Sequence, residues 1–267
     1  MSGKKKYNLS DLVPYGLLVT KSWLQEQGLS RHLIDNWVKS EQLELVTQGV
    51  YKRHNSKLTG LAVVSSLQRM GSDICLGGIT ALSFQGLGHY MGLNEEAVFH
   101  LYGSTKLPLW INKILPATTF FRHSLKKLWG NTSFNSDINL TVQGLIAMDD
   151  NDDDYLIRSS SPERAIFEVL LDVPEKISFE HADQLMQGLV NLTPFKINML
   201  LENCHNVKVR RLFLWFAERH NHAWLKKVNV ERYTLESGLL GSGKRVLSKG
   251  GKLEKKYLIT IPGEMYG

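Results

Sequence analysis

The sequence predicts an α+β protein: an N-terminal winged helix-turn-helix over residues 1–57, followed by a larger mixed sheet-and-helix domain over residues 58–267. Three observations predict it. Between Leu18 and Arg53 the apolar period changes from helical to β-like; three β-prone runs lie between Ala97 and Met148; and helix-opening signals crowd the stretch from Ser161 to Pro194. A chain of 267 residues with 43% hydrophobic content has enough material for one large or two ordinary domains.

Lys4, Lys5 and Lys6 open the chain as a basic arm of the kind that touches phosphates, although terminal runs of this sort also serve simply as solvated tails. A short helix over Ser10–Val13 is stopped by Pro14 and Gly16. Trp23 and Leu24 then lie on a second helix, Gly28 supplies a turn with positive φ, and Ser30 stands as the N-cap of a third helix. In that helix Leu33 and Trp37, and Ile34 and Val38, repeat at i,i+4. The inward stripe leaves Arg31, His32, Asp35, Asn36 and Lys39 facing out, a set able to read base edges.

Leu43–Thr47 and Val50–Arg53 read as two strands joined through Gln48-Gly49, a compact hairpin or wing. A recognition helix needs phosphate contacts from its neighbours, which Lys21, Lys52, Arg53 and the wing amides could supply. The candidate interface with double-stranded DNA therefore comprises Lys21, Ser30, Arg31, His32, Asp35, Asn36, Lys39, Gln48, Gly49, Lys52 and Arg53. A helix, turn, helix and hairpin of this size also serves protein contact, and fold alone does not prove function.

The rest of the chain reads as a second domain. Leu58–Met70 is apolar at helical spacing. Ile74–Tyr90 joins a buried strand through Gly77-Gly78 to a helix starting near Thr80, where the glycines point to close strand–helix packing more than to a phosphate loop. The strands AVFHLY, ATTFFRH and LTVQGLIAM are separated by Pro108, Pro116, Asn131 and Asn135. The acidic run from Asp149 to Asp154 lacks the turn glycine and closing Glu of a calcium loop and reads as a solvated loop, with a possible subdivision near residues 149–161. Ser161-Pro162-Glu163 opens a helix over Pro162–Leu171, and further helices cover Phe179–Val190, Phe195–Glu202 and Val207–Leu225. Lys208, Arg210, Arg211 and Arg219 lie mainly off the apolar side of the last. GLLGSGKR, Gly238–Arg245, matches a P-loop except for Arg245 in place of Ser or Thr, and no helix can follow it. It reads as a glycine-rich turn before a final strand over Lys255–Pro262.

Composition narrows the function further. Cys75 and Cys204 have no paired spacing, and Cys204, His205, His220 and His222 fit no standard zinc pattern, so neither a disulfide framework nor a metal site is expected. No apolar run approaches the roughly 20 residues of a membrane span, and a cytoplasmic location is expected. No catalytic constellation stands out by local spacing, although such sites also assemble from distant segments; no cofactor and no enzyme activity are expected, with the C-terminal domain left open on the latter. The net charge of +6 is uneven: residues 1–57 hold nine Lys/Arg against five Asp/Glu, residues 58–203 ten against sixteen, and residues 204–267 thirteen against five. Basic ends around an acidic middle suit a protein that presents its ends to a polyanion, although surface charge also drifts along chains without function.

The stretch from Leu18 through QGVYKR, the block LGGITALSFQGLGHY, the SSPERAIFEVL helix and the closing GSGKR…GGKLEKKYLITIP, taken in this order, resemble the AbiEi family, the antitoxin halves of bacterial abortive-infection toxin–antitoxin pairs. The resemblance covers nearly the whole chain. It implies that the winged helix binds inverted repeats in the promoter of its own operon and represses it, and that the C-terminal domain neutralises a co-expressed nucleotidyltransferase toxin, directly or without a stable complex. Two alternatives stay open: a winged-helix regulator that senses a small molecule, and an enzyme that modifies the toxin.

Overall fold

The computed structural model of the protein describes residues 7–88, 97–130, 142–148 and 154–266. The Lys4–Lys6 arm, Asn131, Asn135, four acidic residues (Asp149, Asp150, Asp152 and Asp153) and the end of the Ile74–Tyr90 stretch lie outside the described residues.

The chain opens with α1 (Leu9–Leu12), β1 (Leu18–Thr20), α2 (Lys21–Glu26), α3 (Arg31–Lys39), β2 (Leu43–Thr47) and β3 (Val50–Arg53). The strands form an antiparallel sheet in the order β1-β3-β2. Side chains alternate across a strand, so the sheet has two faces with different partners. Val19, Leu43 and Tyr51 pack against Leu24, Ile34 and Trp37 of the helix-turn-helix. Leu18 and Val50 pack the other way, against Ala62, Val63 and Val64. Those three belong to α4 (Gly60–Arg69), whose first turn is capped by Thr59 and whose Ser66 Oγ accepts the Leu18 N–H at 2.7 Å. Apolar side chains packed on both faces of this three-stranded sheet tie the winged helix to α4 and the chain that follows.

Next come β4 (Cys75–Leu76), α5 (Gly78–Phe84), β5 (Ala97–Tyr102), β6 (Thr118–His123), α6 (Lys126–Trp129), β7 (Val142–Met148) and β8 (Asp154–Ser160). They build a mixed sheet in the order β6-β5-β4-β8-β7, parallel at β5/β6 and β4/β8 and antiparallel at β4/β5 and β7/β8. This sheet divides two cores. Ile74, Leu76, Phe99, Leu101, Phe120 and Ile157 face the α4 side, whereas Cys75 and Tyr102 face a helical core. Strand β8 is not evident in the sequence, because DYLIRSS carries Arg158, Ser159 and Ser160 where a buried strand ordinarily shows apolar residues. Ser159 and Ser160 are nevertheless fully buried, and Ser160 Oγ donates to Glu168 Oε1 at 3.0 Å. Asp154, read as the end of a solvated loop, is instead the first residue of this strand.

The helical core is built by α7 (Pro162–Leu171), α8 (Phe179–Gly188), α9 (Pro194–Asn203) and α10 (Val207–His220), followed by the hairpin β9 (Lys252–Glu254) and β10 (Ile259–Ile261). Proline at the first helical position opens α7 and α9. Helix α7 is the centre of this core, with every residue from Glu163 to Leu170 buried. Two sequence expectations are corrected here. The helix expected to reach Leu225 ends at His220, because Asn221 takes a left-handed conformation (φ 47°) and its N–H closes on the Ala217 carbonyl at 2.9 Å. The single strand expected over Lys255–Pro262 is a hairpin, turned where Leu258 adopts φ 50°.

Gly77 and Gly78 serve strand–helix packing. A Cβ on Gly77 would stand 2.3 Å from Tyr102 Cδ2 and 2.4 Å from Glu168 Oε2, both in buried side chains. The Gly78 N–H donates to Glu168 Oε2 at 2.8 Å, so the anion these glycines meet is the protein's own carboxylate. Arg164 Nε completes the set at 2.9 Å from Glu168 Oε1. Replacing Gly77 by Ala is expected to cost about 1–3 kcal/mol by overpacking, read as a lower urea midpoint with an unchanged slope.

Candidate nucleic-acid interface

The reading head is set by local rules first. Thr20 Oγ1 accepts the Trp23 N–H at 3.2 Å to open α2, and Ser30 Oγ accepts the Leu33 N–H at 3.2 Å to open α3. Gly28 turns the chain between them with φ 94°, and its carbonyl accepts the Tyr7 hydroxyl at 2.8 Å. Within α3, Ile34 and Trp37 are buried while Leu33 and Val38 lie half-buried at the margin of the same core. Burial of this kind is worth about 1.5–3 kcal/mol for each large apolar side chain, and it orients the rest of the helix. Arg31, His32, Asn36 and Lys39 are all exposed.

Asp35 and Lys21, both among the residues expected at DNA, pair with each other. Lys21 Nζ donates to Asp35 Oδ1 at 2.8 Å across the turn, and this hydrogen bond holds the Asp35 carboxyl below its ordinary range. The pair locks α2 against α3. The wing tip joins the same arrangement, because the Gly49 carbonyl accepts the Lys21 backbone N–H at 2.8 Å and Gly49 itself takes φ 73°. Gln48 is exposed beside it. The structure therefore brings α3, the start of α2 and the wing tip together.

The other two wing cations are engaged. Lys52 is half-buried, 3.1 Å from Glu44 on the neighbouring strand, and donates to the Ser56 carbonyl. Arg53 lies over the Tyr15 ring at 4.5 Å from its centroid and donates to the Tyr15 hydroxyl at 3.1 Å and to Ser10 Oγ at 3.5 Å. Tyr15 and Ser10, missed by sequence reasoning, hold this arginine. No local periodicity could pair them with it.

In the C-terminal domain the GLLGSGKR loop has the opposite polarity to a phosphate loop. The guanidinium of Arg211, fully buried although expected off the apolar side of its helix, donates to four carbonyls. Nε reaches Leu240 O at 2.9 Å, Nη1 reaches Gly243 O at 2.8 Å and Leu258 O at 3.2 Å, and Nη2 reaches Gly241 O at 3.0 Å. A phosphate loop turns amides inward onto an anion; this one turns carbonyls inward onto a cation. Of Cys204, His205, His220 and His222, the last two stack with ring centroids 5.8 Å apart, but His220 Nε2 bonds Asp183 at 2.8 Å, His222 Nε2 bonds the Met186 carbonyl at 3.0 Å and Cys204 is buried, and among the described residues no group of His, Cys, Asp and Glu is placed to hold a metal.

The parallel strands β5 and β6 bring His100 Nδ1 within 2.8 Å of His123 Nε2, with Tyr102 stacked on His123. Burial pushes both imidazoles down, and for His123, with the His100 ring beside it, the value falls to about 4 despite Asp172 at 3.9 Å. An unfolded chain binds these protons near pH 6.5. Between about pH 6.5 and 4 the unfolded state therefore holds more protons than the folded one, and stability falls as pH falls through that window. Urea midpoints measured across it are expected to decline, and His123→Phe is expected to flatten the decline; an equally steep decline in the variant would place the loss elsewhere.

The chain matches two family models: residues 3–93 match the one described as transcriptional regulator, AbiEi antitoxin N-terminal domain, and residues 95–262 the one described as transcriptional regulator, AbiEi antitoxin, type IV TA system. Among solved structures it is similar to the RV2827C protein from Mycobacterium tuberculosis, at 13% sequence identity over 91% of this chain and 85% of that one, with a TM-score of 0.47. No curated protein matches. No helix among the described residues is long and apolar enough to cross a membrane. With both family models together spanning nearly its whole length, the chain belongs to the AbiEi antitoxin family of type IV toxin–antitoxin transcriptional regulators.

Proposed function

We propose that this antitoxin binds inverted repeats in the promoter of its own operon through residues 1–57 and represses it, while residues 58–267 neutralise a co-expressed nucleotidyltransferase toxin. The observation that carries the DNA reading is the exposed row Arg31, His32, Asn36 and Lys39 on a helix capped by Ser30 and braced by the Lys21–Asp35 pair. Arginine and asparagine are the side chains that make bidentate contacts to guanine and adenine in the major groove. In this reading Gln48 and Gly49 bring wing-tip contacts to the adjacent backbone. Lys21, Asp35, Lys52 and Arg53, committed to protein partners, shape the head more than they touch phosphates.

Phosphate contacts release counterions, so operator affinity is expected to fall by about one order of magnitude or more between roughly 50 and 200 mM salt. A flat response in a gel-shift or fluorescence anisotropy titration would remove the DNA reading. The toxin half is tested separately, by growth rescue when the chain is co-expressed with the nucleotidyltransferase encoded beside it.

One observation favours a ligand-sensing regulator as the second reading. A cavity of about 270 Å³ lies beside α2, lined by the apolar Trp23, Leu67, Met70 and Trp110 and by the polar Ser22, Glu26, Thr105 and Lys106. A small amphipathic ligand held there would bear directly on the helix that braces α3. Operator affinity that changes on adding such a ligand separates this reading from constitutive autorepression.

A further inference from the structure

A second cavity, of about 850 Å³, opens in the C-terminal domain where the end of β6, the end of α7 and the first turn of α10 meet. Five cations line it, Arg122, Lys127, Lys176, Lys208 and Arg245, against the two carboxylates Asp172 and Glu175. Most of these groups are already spoken for. Lys208 Nζ donates to the Leu171 carbonyl at 2.7 Å and to the Val173 carbonyl, and lies 3.6 Å from Glu175. Lys176 lies 3.6 Å from Asp172, and Arg122 donates to the Gly103 carbonyl at 3.0 Å. Lys127 and Arg245 are different: both are exposed, and among the described residues neither has a carboxylate within ion-pair distance.

The backbones that carry these two cations are fixed. The Lys127 carbonyl accepts Asn206 Nδ2 at 3.3 Å, which ties α6 to the start of α10. Arg245 is held through its N–H on the Leu258 carbonyl at 2.8 Å and its carbonyl on the Thr260 N–H at 2.9 Å. The glycine loop that delivers Arg245 packs against the same helix start, because a Cβ on Gly241 would lie 3.2 Å from Val207. Helix α10, 14 residues long, begins here with Asn206 Oδ1 accepting the Val209 N–H, so the amides of Val207 and Lys208 have no intrahelical acceptor. The positive end of its dipole adds to the field of the cations.

We propose that this cavity binds a compact oligophosphate, the di- or triphosphate of a nucleotide or inorganic polyphosphate. Two unpaired cations on separate elements suit an anion with several charged oxygens, and the volume falls in the range of small-molecule sites, about 300–1,000 Å³. The carboxylates of Asp172 and Glu175 on the wall disfavour a long phosphodiester backbone laid across it, since each would face a phosphate. The motif that fails as a phosphate loop thus contributes through a side chain, Arg245, where its amides cannot. This inference does not depend on operator binding by α3.

The test is calorimetric titration of the full chain with inorganic tripolyphosphate, ATP and GTP at about 0.15 M salt, where surface attraction without a built site is screened. Saturable binding at one site per chain is expected, with a loss of at least about tenfold in the Lys127→Ala/Arg245→Ala double variant. Lys249→Ala, on the same basic segment but outside the cavity, is expected to bind as the parent does. Both replaced side chains in the double variant are exposed, so its thermal unfolding is expected to match the parent and a lost fold would be visible. Tighter binding of ATP or GTP than of tripolyphosphate identifies a nucleotide site; equal binding identifies the phosphates alone. No saturable binding to the parent, or equal binding to the double variant, overturns the proposal. So does displacement of tripolyphosphate by a duplex of unrelated sequence whose own affinity drops in the double variant, because the cavity would then serve a nucleic-acid backbone.

Discussion

Alanine at Arg31, Asn36 and Lys39 together is expected to lower operator affinity by about 100-fold or more, because a single bidentate base contact is worth about 1–3 kcal/mol and each 1.4 kcal/mol is tenfold. The three side chains are exposed and outside the apolar core of the helix-turn-helix, so the fold is expected to survive and the urea midpoint to stay within error of the parent. Toxin protection in cells at equal protein level is expected to remain. Anisotropy with operator and unrelated duplexes, together with growth rescue, checks all three statements. If protection disappears with operator binding, the division of labour between residues 1–57 and 58–267 fails; if operator binding persists, α3 is not the reading element.

The second large effect is on stability. Arg211→Met keeps the aliphatic stem in the core and removes the guanidinium, leaving the carbonyls of Leu240, Gly241, Gly243 and Leu258 without that donor. A buried acceptor stripped of its partner costs about 1–3 kcal/mol. Leu240 is buried and Gly241 half-buried, whereas Gly243 is exposed and the Leu258 carbonyl keeps the Arg245 N–H, so a net loss of about 2–4 kcal/mol is expected. Hydrogen exchange is expected to show the loss first in the Gly238–Arg245 loop and at β10, which the same guanidinium joins through Leu258. A variant as stable as the parent would mean that the loop folds without its internal cation.

Much of this architecture is legible in the sequence because its causes are local. Ser30, Pro162 and Pro194 mark helix starts through bonds or restrictions that reach no further than one turn. The apolar pattern of α3 shows which face turns outward, and Gln48-Gly49 places the wing. Those same rules mislead where a residue answers to a distant partner. Strand β8 escapes them because its buried serines find partners out of register with any local pattern: Glu168 of α7 accepts the Ser160 hydroxyl, and the Ser160 carbonyl accepts the Ser159 hydroxyl. Arg211 escapes them because its acceptors begin 29 residues away.

The sequence by itself therefore determined the α+β class, the winged helix with its outward row of Arg31, His32, Asn36 and Lys39, and the membership that its ordered blocks imply. Only the tertiary structure decided which charges are free to act. Lys21 closes on Asp35 across 14 residues and Arg53 on Tyr15 across 38, while Lys127 and Arg245, on elements far apart in the sequence, arrive unpaired at one cavity. The physical reason is range. Helix periodicity and capping act over about four residues, whereas the partner that neutralises a charge is whatever the folded chain brings within a few ångströms.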